Sequence, residues 1–549
     1  MNQFINSRDT IVTEAINGSL RGMGERIARL DGFPHIKVII RSDWTFDKVA
    51  LISGGGAGHE PAHMGFVGAG MLTAAICGEV FASPSVEAVL AGILAVTGAH
   101  GCLLIVKNYT GDRLNFGLAA EKARALGFKV EMVVVNDDIA LPQHIQARGL
   151  AGALFVHKIA GFMSEKGKNL EEVTEFSRSV ISLISSVGIS IASCTLPGDP
   201  KNNRITKGMA ELGLGIHGEP GAKSVSFDGA HMAIKLVLSQ LKPKIMKGKE
   251  YAFLLNNLGG CTPLEMAVLL EEISISKLAS QISLMIGPDV LMTSLDMHGF
   301  SLSILPLNNE IETAITYPVA PRAWPQVRTL KEPVVVPLPK KLNPKILVAS
   351  KNPELRKLIE RCCLILEEKE QALNHLDSKI GDGDTGSTLV RAARSLRQEL
   401  DKLPLGDAKE FFEALGDLLS KTMGGSSGAL MAIFFSAAGQ RMSDSVHWSK
   451  ALKAGLDRMM DVGGAKVGDR TMIDALAPAL DFLAMGKNLY DVAKAAREGA
   501  DRTKEMPVAR AGRAAYLSTR VLNNITDPGA EAIACLFEGV AGETIAKPK

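Results

Sequence analysis

The chain has few aromatic residues and few cysteines. Phe, Trp and Tyr make up 5% of the 549 residues, and the seven cysteines are scattered without a Cys-x-x-Cys pair. Such a sequence lacks both the ligand spacing of a zinc ribbon and the framework of a disulfide-rich secreted protein. We therefore predict reduced, mostly buried thiols and a cytoplasmic protein.

An excess of one charge is also lacking. The sequence has 61 Lys and Arg against 59 Asp and Glu, a formal net charge of +2. This balance gives no overall attraction to nucleic acid or to a membrane surface, so neither partner is predicted. Residues 1–10 show no signal-peptide pattern. Residues 88–106 lack charged side chains, but turn residues at 97–101 interrupt them and favour a helix, a turn and a strand over a membrane span.

Short apolar runs alternate with helical patterns through the first 330 residues. Strands are predicted at 48–53, 102–106 and 129–135, with a helix at 114–126, which is the pattern of a mostly parallel α/β sheet. A second set follows at 189–193, 251–256 and 301–307, and Thr262, Pro263 and Glu265 form a capping-box signature. We predict two α/β lobes, about 1–185 and 186–330, with residues 207–212 helical.

The last 200 residues have a different texture. Residues 331–345 hold four prolines and four lysines, so 331–350 is predicted as an extended linker. Beyond it, apolar residues recur at helical spacing over 407–422, 448–460, 472–486, 489–504 and 529–546. The predicted fold class is therefore a multidomain α/β plus all-α protein, with an all-helical domain over 351–549.

Three carboxylates cluster in that helical domain. Asp377, Asp382 and Asp384 lie within eight residues, with glycines between them. Carboxylates this close repel one another unless a cation neutralises them, and Mg²⁺ prefers such oxygen ligands. An EF-hand does not fit, because its twelfth position would be Ala393. An acidic surface turn that caps the next helix is the alternative.

Two glycine-rich stretches accompany the carboxylates. Residues 424–428 and 463–471 lie between helical patterns, where backbone N–H groups and hydroxyls can hold phosphates. Tight interhelical loops are the alternative. The Walker A pattern is absent, which excludes a P-loop enzyme. Residues 424–428 also match G-x-S-x-G, but no strand precedes them, which disfavours a hydrolase.

The α/β region has its own glycine-rich loops. Residues 53–61 place four glycines in five positions after a strand, next to His59, and Lys107 and Asp112 lie beyond the next strand. Ligands bind at such strand ends in open α/β sheets. Residues 213–218 match G-x-G-x-x-G, but the helical pattern before them argues against a dinucleotide site. His217 in that loop is either a base or nucleophile, or a hydrogen-bonded loop histidine.

Seven stretches together resemble, in chain order, the signatures of the single-chain ATP-dependent dihydroxyacetone kinases: SGGGAGHEP (53–61), KNYTGDRLNFG (107–117), GIHGEPG (215–221), NNLGG (256–260), GDGDTGST (381–388), GGSSG (424–428) and GDRTMIDAL (468–476). The resemblance covers essentially the whole chain and implies a two-lobed α/β substrate-binding domain followed by an all-helical barrel that binds the nucleotide.

The resemblance also implies roles for individual residues. His217 would bond covalently to the substrate carbonyl carbon as a hemiaminal, which selects ketones over glycerol. Gly56, His59, Lys107 and Asp112 would hold the substrate, with Asp112 and His59 as the acid–base pair. Asp377, Asp382 and Asp384 would bind two Mg²⁺ ions. The nucleotide would contact Thr385, Gly386, Ser387, Thr388, Ser426, Ser427, Gly463, Thr471, Met472, Asp527 and Gly529.

The implied reaction is ATP-dependent phosphorylation of dihydroxyacetone, in glycerol metabolism, by a homodimer. Three alternatives stay open at the level of sequence. The chain could act on another short ketose or glyceraldehyde, it could cyclise FAD as a lyase at the same metal–nucleotide site, or it could be a binding module of a phosphotransfer relay.

Overall fold

The computed structural model describes residues 3–24, 26–141, 146–201, 203–339, 347–443 and 446–545. The chain forms two compact units, Met1–Val335 and Val336–Lys549. Part of the predicted linker, residues 340–346, lies outside the described residues. Among the described residues, none of the helices combines the length and the apolar composition that a membrane crossing needs.

The first sheet of the first unit is largely parallel. Its strands run in the order β1-β2-β4-β3-β5-β6, with β4, β3, β5 and β6 parallel and β1 and β2 antiparallel at one edge. The strands are β1 (Ile27–Arg29), β2 (Val38–Arg41), β3 (Ala50–Ala57), β4 (Ala74–Val80), β5 (Cys102–Lys107) and β6 (Val130–Val135). The accompanying helices are α1 (Ile11–Met23), α2 (Val86–Val96), α3 (Thr110–Ala125), α4 (Ala153–Glu165) and α5 (Leu170–Leu183).

The second sheet is mostly antiparallel. Its order is β11-β10-β12-β7-β8-β9, and among these neighbours only β10 and β11 pair in parallel. The strands are β7 (Ser185–Ala192), β8 (Met209–Leu212), β9 (Lys223–Ser226), β10 (Tyr251–Asn257), β11 (Ile282–Val290) and β12 (His298–Pro306). The helices are α6 (Gly229–Leu241), α7 (Pro263–Ser274) and α8 (Asn309–Thr316).

Burial on both faces explains the continuous apolar runs of the first sheet. Every residue of β3 and β5 is buried. Alternate side chains face opposite sides: Leu51 packs in a cluster with Phe155 of α4, whereas Ile52 packs in a cluster with Phe116 of α3. Helices therefore cover both faces, as in other parallel sheets.

Six predicted strands and the capping box are confirmed, with shifted boundaries. The Thr262 hydroxyl accepts a hydrogen bond from the N–H of Glu265, and the Glu265 carboxylate accepts one from the N–H of Thr262. The helix predicted at 207–212 is wrong, because Met209–Leu212 forms β8. A strand therefore does precede Gly213, but the next element is strand β9, so no helix N-terminus is present to hold a dinucleotide phosphate.

The second unit is a ring of helices. They are α9 (Pro353–Asp377), α10 (Thr385–Glu399), α11 (Ala408–Thr422), α12 (Gly425–Arg441), α13 (Trp448–Gly463), α14 (Ile473–Ala484), α15 (Leu489–Arg502), α16 (Thr519–Leu522) and α17 (Pro528–Ile545). From α9 to α15 each helix packs on the next, α15 packs on α17, and α17 packs on α9, which closes the ring. Short connections make neighbours antiparallel. The N-termini of α10, α12 and α14 therefore lie at one end of the ring.

The start of α17 lies at the same end. Thr503 directly follows α15, and its hydroxyl accepts a hydrogen bond of 2.9 Å from the N–H of Asp527, the residue before α17. A Cβ added to Gly529 would lie 3.2 Å from Cβ of Met472, just before α14. Four helix N-termini thus meet at one end, and their partial positive charges favour an anion there.

A substitution at Gly161 of α4 would test the packing of the first unit. A Cβ at Gly161 would lie 2.0 Å from the carbonyl oxygen of Gly70, whereas a Cβ at Gly117 of α3 would meet nothing within 4 Å. We expect Gly161→Ala to lower the free energy of unfolding by about 1–3 kcal/mol. Gly117→Ala should raise it by about 0.4–1 kcal/mol. Urea denaturation measures both, and equal effects would contradict the packing described.

Candidate active site

His59 lies in the loop after the carboxyl end of β3 and is fully buried. Its Nδ1 is 2.8 Å from the carbonyl oxygen of Thr293. Because a carbonyl oxygen only accepts, Nδ1 carries the proton and donates it. In the neutral ring, Nε2 of His59 is then left with a free lone pair. Burial also holds the pKa of His59 well below its usual value.

His217 comes from the loop between β8 and β9 and faces His59. The two Nε2 atoms are 3.1 Å apart. Because Nε2 of His59 has no proton, Nε2–H of His217 must be the donor in this contact. The backbone N–H of His217 donates to Oε2 of Glu219 at 2.8 Å, which fixes the turn. We call His59 and His217 the histidine pair.

Aromatic rings enclose the histidine pair. Tyr109 and Phe81 stand edge-on to the His217 ring, with centroids 4.4 and 5.2 Å away. Burial, together with the positive charge of Lys107, lowers the pKa of His217 to about 4. His217 is therefore neutral at pH 7, as a nitrogen nucleophile must be.

Lys107 and Asp112 lie beside the histidine pair, at the end of β5 and in the first turn of α3. Their side chains are almost fully buried, at 1% and 3% exposure. Burial lowers the pKa of Lys107, and the charge of Asp112 partly offsets this. Burial raises the pKa of Asp112, and Lys107 opposes that shift. The buried Oδ1 of Asp112 has no hydrogen-bond partner among the described residues, so it can accept a ligand hydroxyl.

Two glycines of β3 leave space around the side chains of Lys107 and Asp112. A Cβ at Gly55 would lie 3.0 Å from Nζ of Lys107 and 3.6 Å from Oδ2 of Asp112. At Gly56 it would lie 2.7 Å from the backbone nitrogen of Ala82. A side chain at Gly55 would therefore displace Lys107 and Asp112, and one at Gly56 would displace the backbone at Ala82.

A buried network behind Lys107 was not found from the sequence. Nζ of Lys107 is 2.7 Å from Nε2 of His63, and Nδ1 of His63 is 3.3 Å from the Ser53 hydroxyl. That hydroxyl donates to the carbonyl oxygen of Ile105 and also contacts His157. Since Ser53 already donates to a carbonyl, Nδ1–H of His63 donates to Ser53, and Nε2 of His63 accepts from Lys107. The network therefore fixes the direction of the Lys107 ammonium group. The sequence signal for this network is limited to Ser53, which begins the glycine-rich stretch 53–61, and His63, which lies two residues after it.

The carboxylate triad, Asp377, Asp382 and Asp384, lies where α9 gives way to α10. Oxygens of the three side chains lie within 4.8 Å of one another. Asp377 Oδ2 accepts hydrogen bonds from the N–H groups of Asp384 and Thr385, at 2.9 and 3.1 Å, so one carboxylate is held in place by the backbone. Three hard oxygen donors fit Mg²⁺ well. Arg513 pairs with Asp382, and no local pattern around either residue predicts this long-range interaction.

The residues predicted to bind nucleotide gather at the end of the ring that carries the triad. Gly463 ends α13, and the other ten lie on or beside four helix N-termini: Thr385, Gly386, Ser387 and Thr388 on α10, Ser426 and Ser427 on α12, Thr471 and Met472 before α14, and Asp527 and Gly529 at α17. The Ser387 hydroxyl is already engaged by Asn374, at 2.8 Å, and by Glu370. The Thr471 hydroxyl accepts a hydrogen bond from the N–H of Ile473, which leaves its own proton to donate.

Arg470 joins two of these segments. Its buried guanidinium donates to the carbonyl oxygens of Thr503, Leu522 and Ile525, the last at 2.6 Å. Asp474 accepts hydrogen bonds from the N–H groups of Gly468 and Thr471. The segment 468–474 is therefore fixed against the segment that leads to Asp527. Burial raises the pKa of Asp527 to about 6.

Known domain families and individual proteins resemble this chain over most of its length. The sequence matches the Dak1 domain over residues 23–323 and the DAK2 domain over residues 379–542. It is 46% identical over 546 residues to the dihydroxyacetone kinase of Citrobacter freundii, with 98% of both chains covered. The Triokinase/FMN cyclase of Homo sapiens is 38% identical over 542 residues, which cover 92% of this chain and 93% of the human protein.

A solved structure agrees along the whole chain. The crystal structure of the C. freundii dihydroxyacetone kinase in complex with AMP-PNP and Mg²⁺ matches with a TM-score of 0.68 and 44% identity, covering 99% of each chain. The chain belongs to the dihydroxyacetone kinase family. The predicted resemblance, the α/β plus all-helical fold class and the phosphotransferase class are thereby confirmed.

The histidine pair gives a direct test of the site electrostatics. In NMR spectra of histidine-labelled protein, we expect His217 to stay neutral until the pH falls to about 4. Lys107→Met should move this midpoint upward, because it removes a positive charge that disfavours the imidazolium. Lys129→Met, an exposed lysine at the start of β6, is the control and should leave it unchanged. A wild-type midpoint near the usual value of about 6.5 would contradict the buried geometry.

Proposed function

We propose that this chain transfers a phosphoryl group from Mg·ATP to a terminal hydroxyl of dihydroxyacetone. The observation that carries the proposal is the neutral, buried histidine pair beside Lys107 and Asp112. This arrangement suits a small ketone, and the family relationship points to the same substrate. In the proposed division of labour, residues 1–330 bind the ketone, residues 351–549 bind the nucleotide, and 331–350 link them.

His217 is proposed to hold the substrate as a hemiaminal. Its Nε2–H bond is replaced by a bond from Nε2 to the carbonyl carbon, and the carbonyl oxygen gains a proton. Nε2 of His59 has the free lone pair and lies 3.1 Å from the nitrogen that must lose its proton. His59 can therefore carry that proton from His217 to the oxygen. Glycerol has no carbonyl and cannot form this bond, so selection becomes chemical.

Asp112 is proposed as the base that takes the proton of the attacking hydroxyl. Its pKa is raised by burial, which brings a carboxylate closer to the pH at which general bases work well. Its Oδ1 has no hydrogen-bond partner among the described residues and can accept from the substrate. Lys107 keeps this carboxylate ionised and can donate to a substrate oxygen. Gly56 contributes by letting the chain pass close to the pocket.

The carboxylate triad is proposed to hold Mg²⁺, with two ions as the finer prediction. The bound metal would neutralise negative charge on the ATP phosphates. The chain supplies three oxygen donors, one of them fixed by two backbone N–H groups, and four helix N-termini face the same end. The hydroxyls of Thr385, Ser426, Ser427 and Thr471 can donate to phosphate oxygens. The homodimer implied by the resemblance stays a prediction.

A second activity has one specific observation in its favour. The human relative is named Triokinase/FMN cyclase, so a triose such as glyceraldehyde, or a flavin dinucleotide, is a second candidate substrate. Cyclisation of FAD would use the triad and the nucleotide-binding end without His217. Dependence on His217 therefore separates the two activities.

The proposal is tested by ADP release with Mg·ATP and dihydroxyacetone. We expect turnover that requires the ketone, is absent with glycerol and collapses in His217→Ala. Asp112→Asn should lower kcat by roughly 10²–10⁴-fold. The matched control is His231→Ala, an exposed histidine of α6 that pairs with Glu272.

Three results would count against parts of the proposal. Full turnover by His217→Ala would remove the covalent step but keep the kinase. Turnover only with another short ketose would change the substrate. No ADP release with any ketone, together with ketone binding, would favour a binding module.

A further inference from the structure

Three side chains with metal-ligating atoms converge on the second sheet, and none of them belongs to the pocket of the histidine pair. Cys261 precedes α7, Glu265 lies in its first turn, and His298 begins β12. The cysteine sulfur, a carboxylate oxygen and a ring nitrogen all lie within 4.8 Å of one another. Each of the three residues is partly exposed, so solvent ions can reach the cluster.

The fold orients Glu265 and His298 before any ligand arrives. Oε2 of Glu265 accepts hydrogen bonds from the N–H and hydroxyl of Thr262, at 2.7 and 2.9 Å, as part of the capping box. That leaves Oε1, which lies 2.7 Å from Nε2 of His298. The helix cap thus fixes the direction of the carboxylate, and the histidine already points at its second oxygen.

Cys261 is held just as firmly. Its backbone N–H donates to Oδ1 of Asn257, and its carbonyl accepts from Nδ2 of the same side chain, at 3.2 and 2.8 Å. Its sulfur lies 3.2 Å from the carbonyl oxygen of Gly299, the residue after His298. The thiol is therefore kept next to the histidine without any contribution from a metal.

The types of the three donor atoms indicate which cation the cluster could bind. The hydrogen bond between His298 and Glu265, and the one from the Cys261 thiol to the carbonyl of Gly299, hold the three donor atoms side by side. A thiol that coordinates a cation gives up its proton, so the Cys261 sulfur would bind as a thiolate. One sulfur, one nitrogen and one oxygen are ligands for Zn²⁺, whereas Mg²⁺ and Ca²⁺ require oxygen alone.

The three side chains also line one cavity of about 240 Å³. Its other walls include Ile189, Phe227 and Phe300. A cation bound by three protein ligands would therefore have space for water or a small ligand in a fourth position, as in open zinc sites.

We propose that Cys261, Glu265 and His298 form a site for one borderline-soft divalent cation of the Zn²⁺ type, with the fourth position open. Binding forms three metal–ligand bonds and breaks two bonds to hydrogen, S–H of Cys261 and Nε2–H of His298. The thiol proton leaves to solvent, and the imidazole exchanges its proton through solvent from Nε2 to Nδ1, which frees the Nε2 lone pair for the cation. Binding also replaces the hydrogen bond between His298 and Glu265. The site would join the start of α7 to the start of β12 by coordination in place of that single bond.

Cobalt titration of the full-length, metal-free protein tests this site. We expect one equivalent of Co²⁺ to give a thiolate-to-cobalt charge-transfer band and strong visible bands of four-coordinate geometry, and Zn²⁺ to bleach both. Cys261→Ser should abolish the charge-transfer band. His298→Ala should weaken binding by at least 10–100-fold, the loss typical of removing even a supporting residue. Cys362→Ser, a partly buried cysteine of α9, is the matched control and should change nothing.

Two outcomes would overturn the site. One is a wild-type titration that shows only the weak spectrum of six-coordinate cobalt, as expected for an all-oxygen site such as the carboxylate triad. The other is a charge-transfer band that persists in Cys261→Ser. Glu265→Gln guards against misfolding, because glutamine can keep the capping box. It should retain the charge-transfer band with weaker binding, and unchanged affinity would also count against the proposal.

Discussion

The hydrogen bond from His59 to the carbonyl of Thr293 determines what the rest of the first unit can do. It puts the proton of His59 on Nδ1 and thereby leaves a lone pair facing His217. The pair can form only because the loop after β3 in the first sheet meets the loop between β8 and β9 of the second. Burial in that meeting place keeps both rings neutral, which is the state a nucleophile and its base require.

The electrostatics of the helical unit differ from those of the histidine pair. In the helical unit, positive helix ends and three carboxylates are gathered at one end of the ring, an arrangement that suits the proposed metal–nucleotide complex. Backbone hydrogen bonds to Asp377 and the guanidinium of Arg470 hold this end together. Burial keeps the histidine pair neutral in the first unit, whereas charged groups gather at one end of the helical ring.

Local pattern predicted much of the fold. The buried strands β3, β5 and β6 and the capping box at Thr262 follow from apolar runs and turn chemistry within a few residues. The strand β8 was mistaken for a helix because it is short and its partners, β7 and β9, cannot be recognised from 207–212 alone. Helix α12 was read only as a glycine-rich loop at its start, yet Gly428 is needed there, since a Cβ would lie 2.1 Å from the carbonyl oxygen of Met423.

The sequence predicted residues that the structure brings together, but not their proton positions. His59, His217, Asp382 and Asp384 lie in the quoted motifs, whereas Thr293 lies 234 positions from His59 and carries no signal. The most direct test of the covalent histidine combines ¹⁵N-histidine-labelled protein with dihydroxyacetone labelled at its carbonyl carbon with ¹³C. The account predicts a one-bond carbon–nitrogen coupling that vanishes in His217→Ala. An active enzyme that shows only uncoupled ketone and hydrate signals would contradict it.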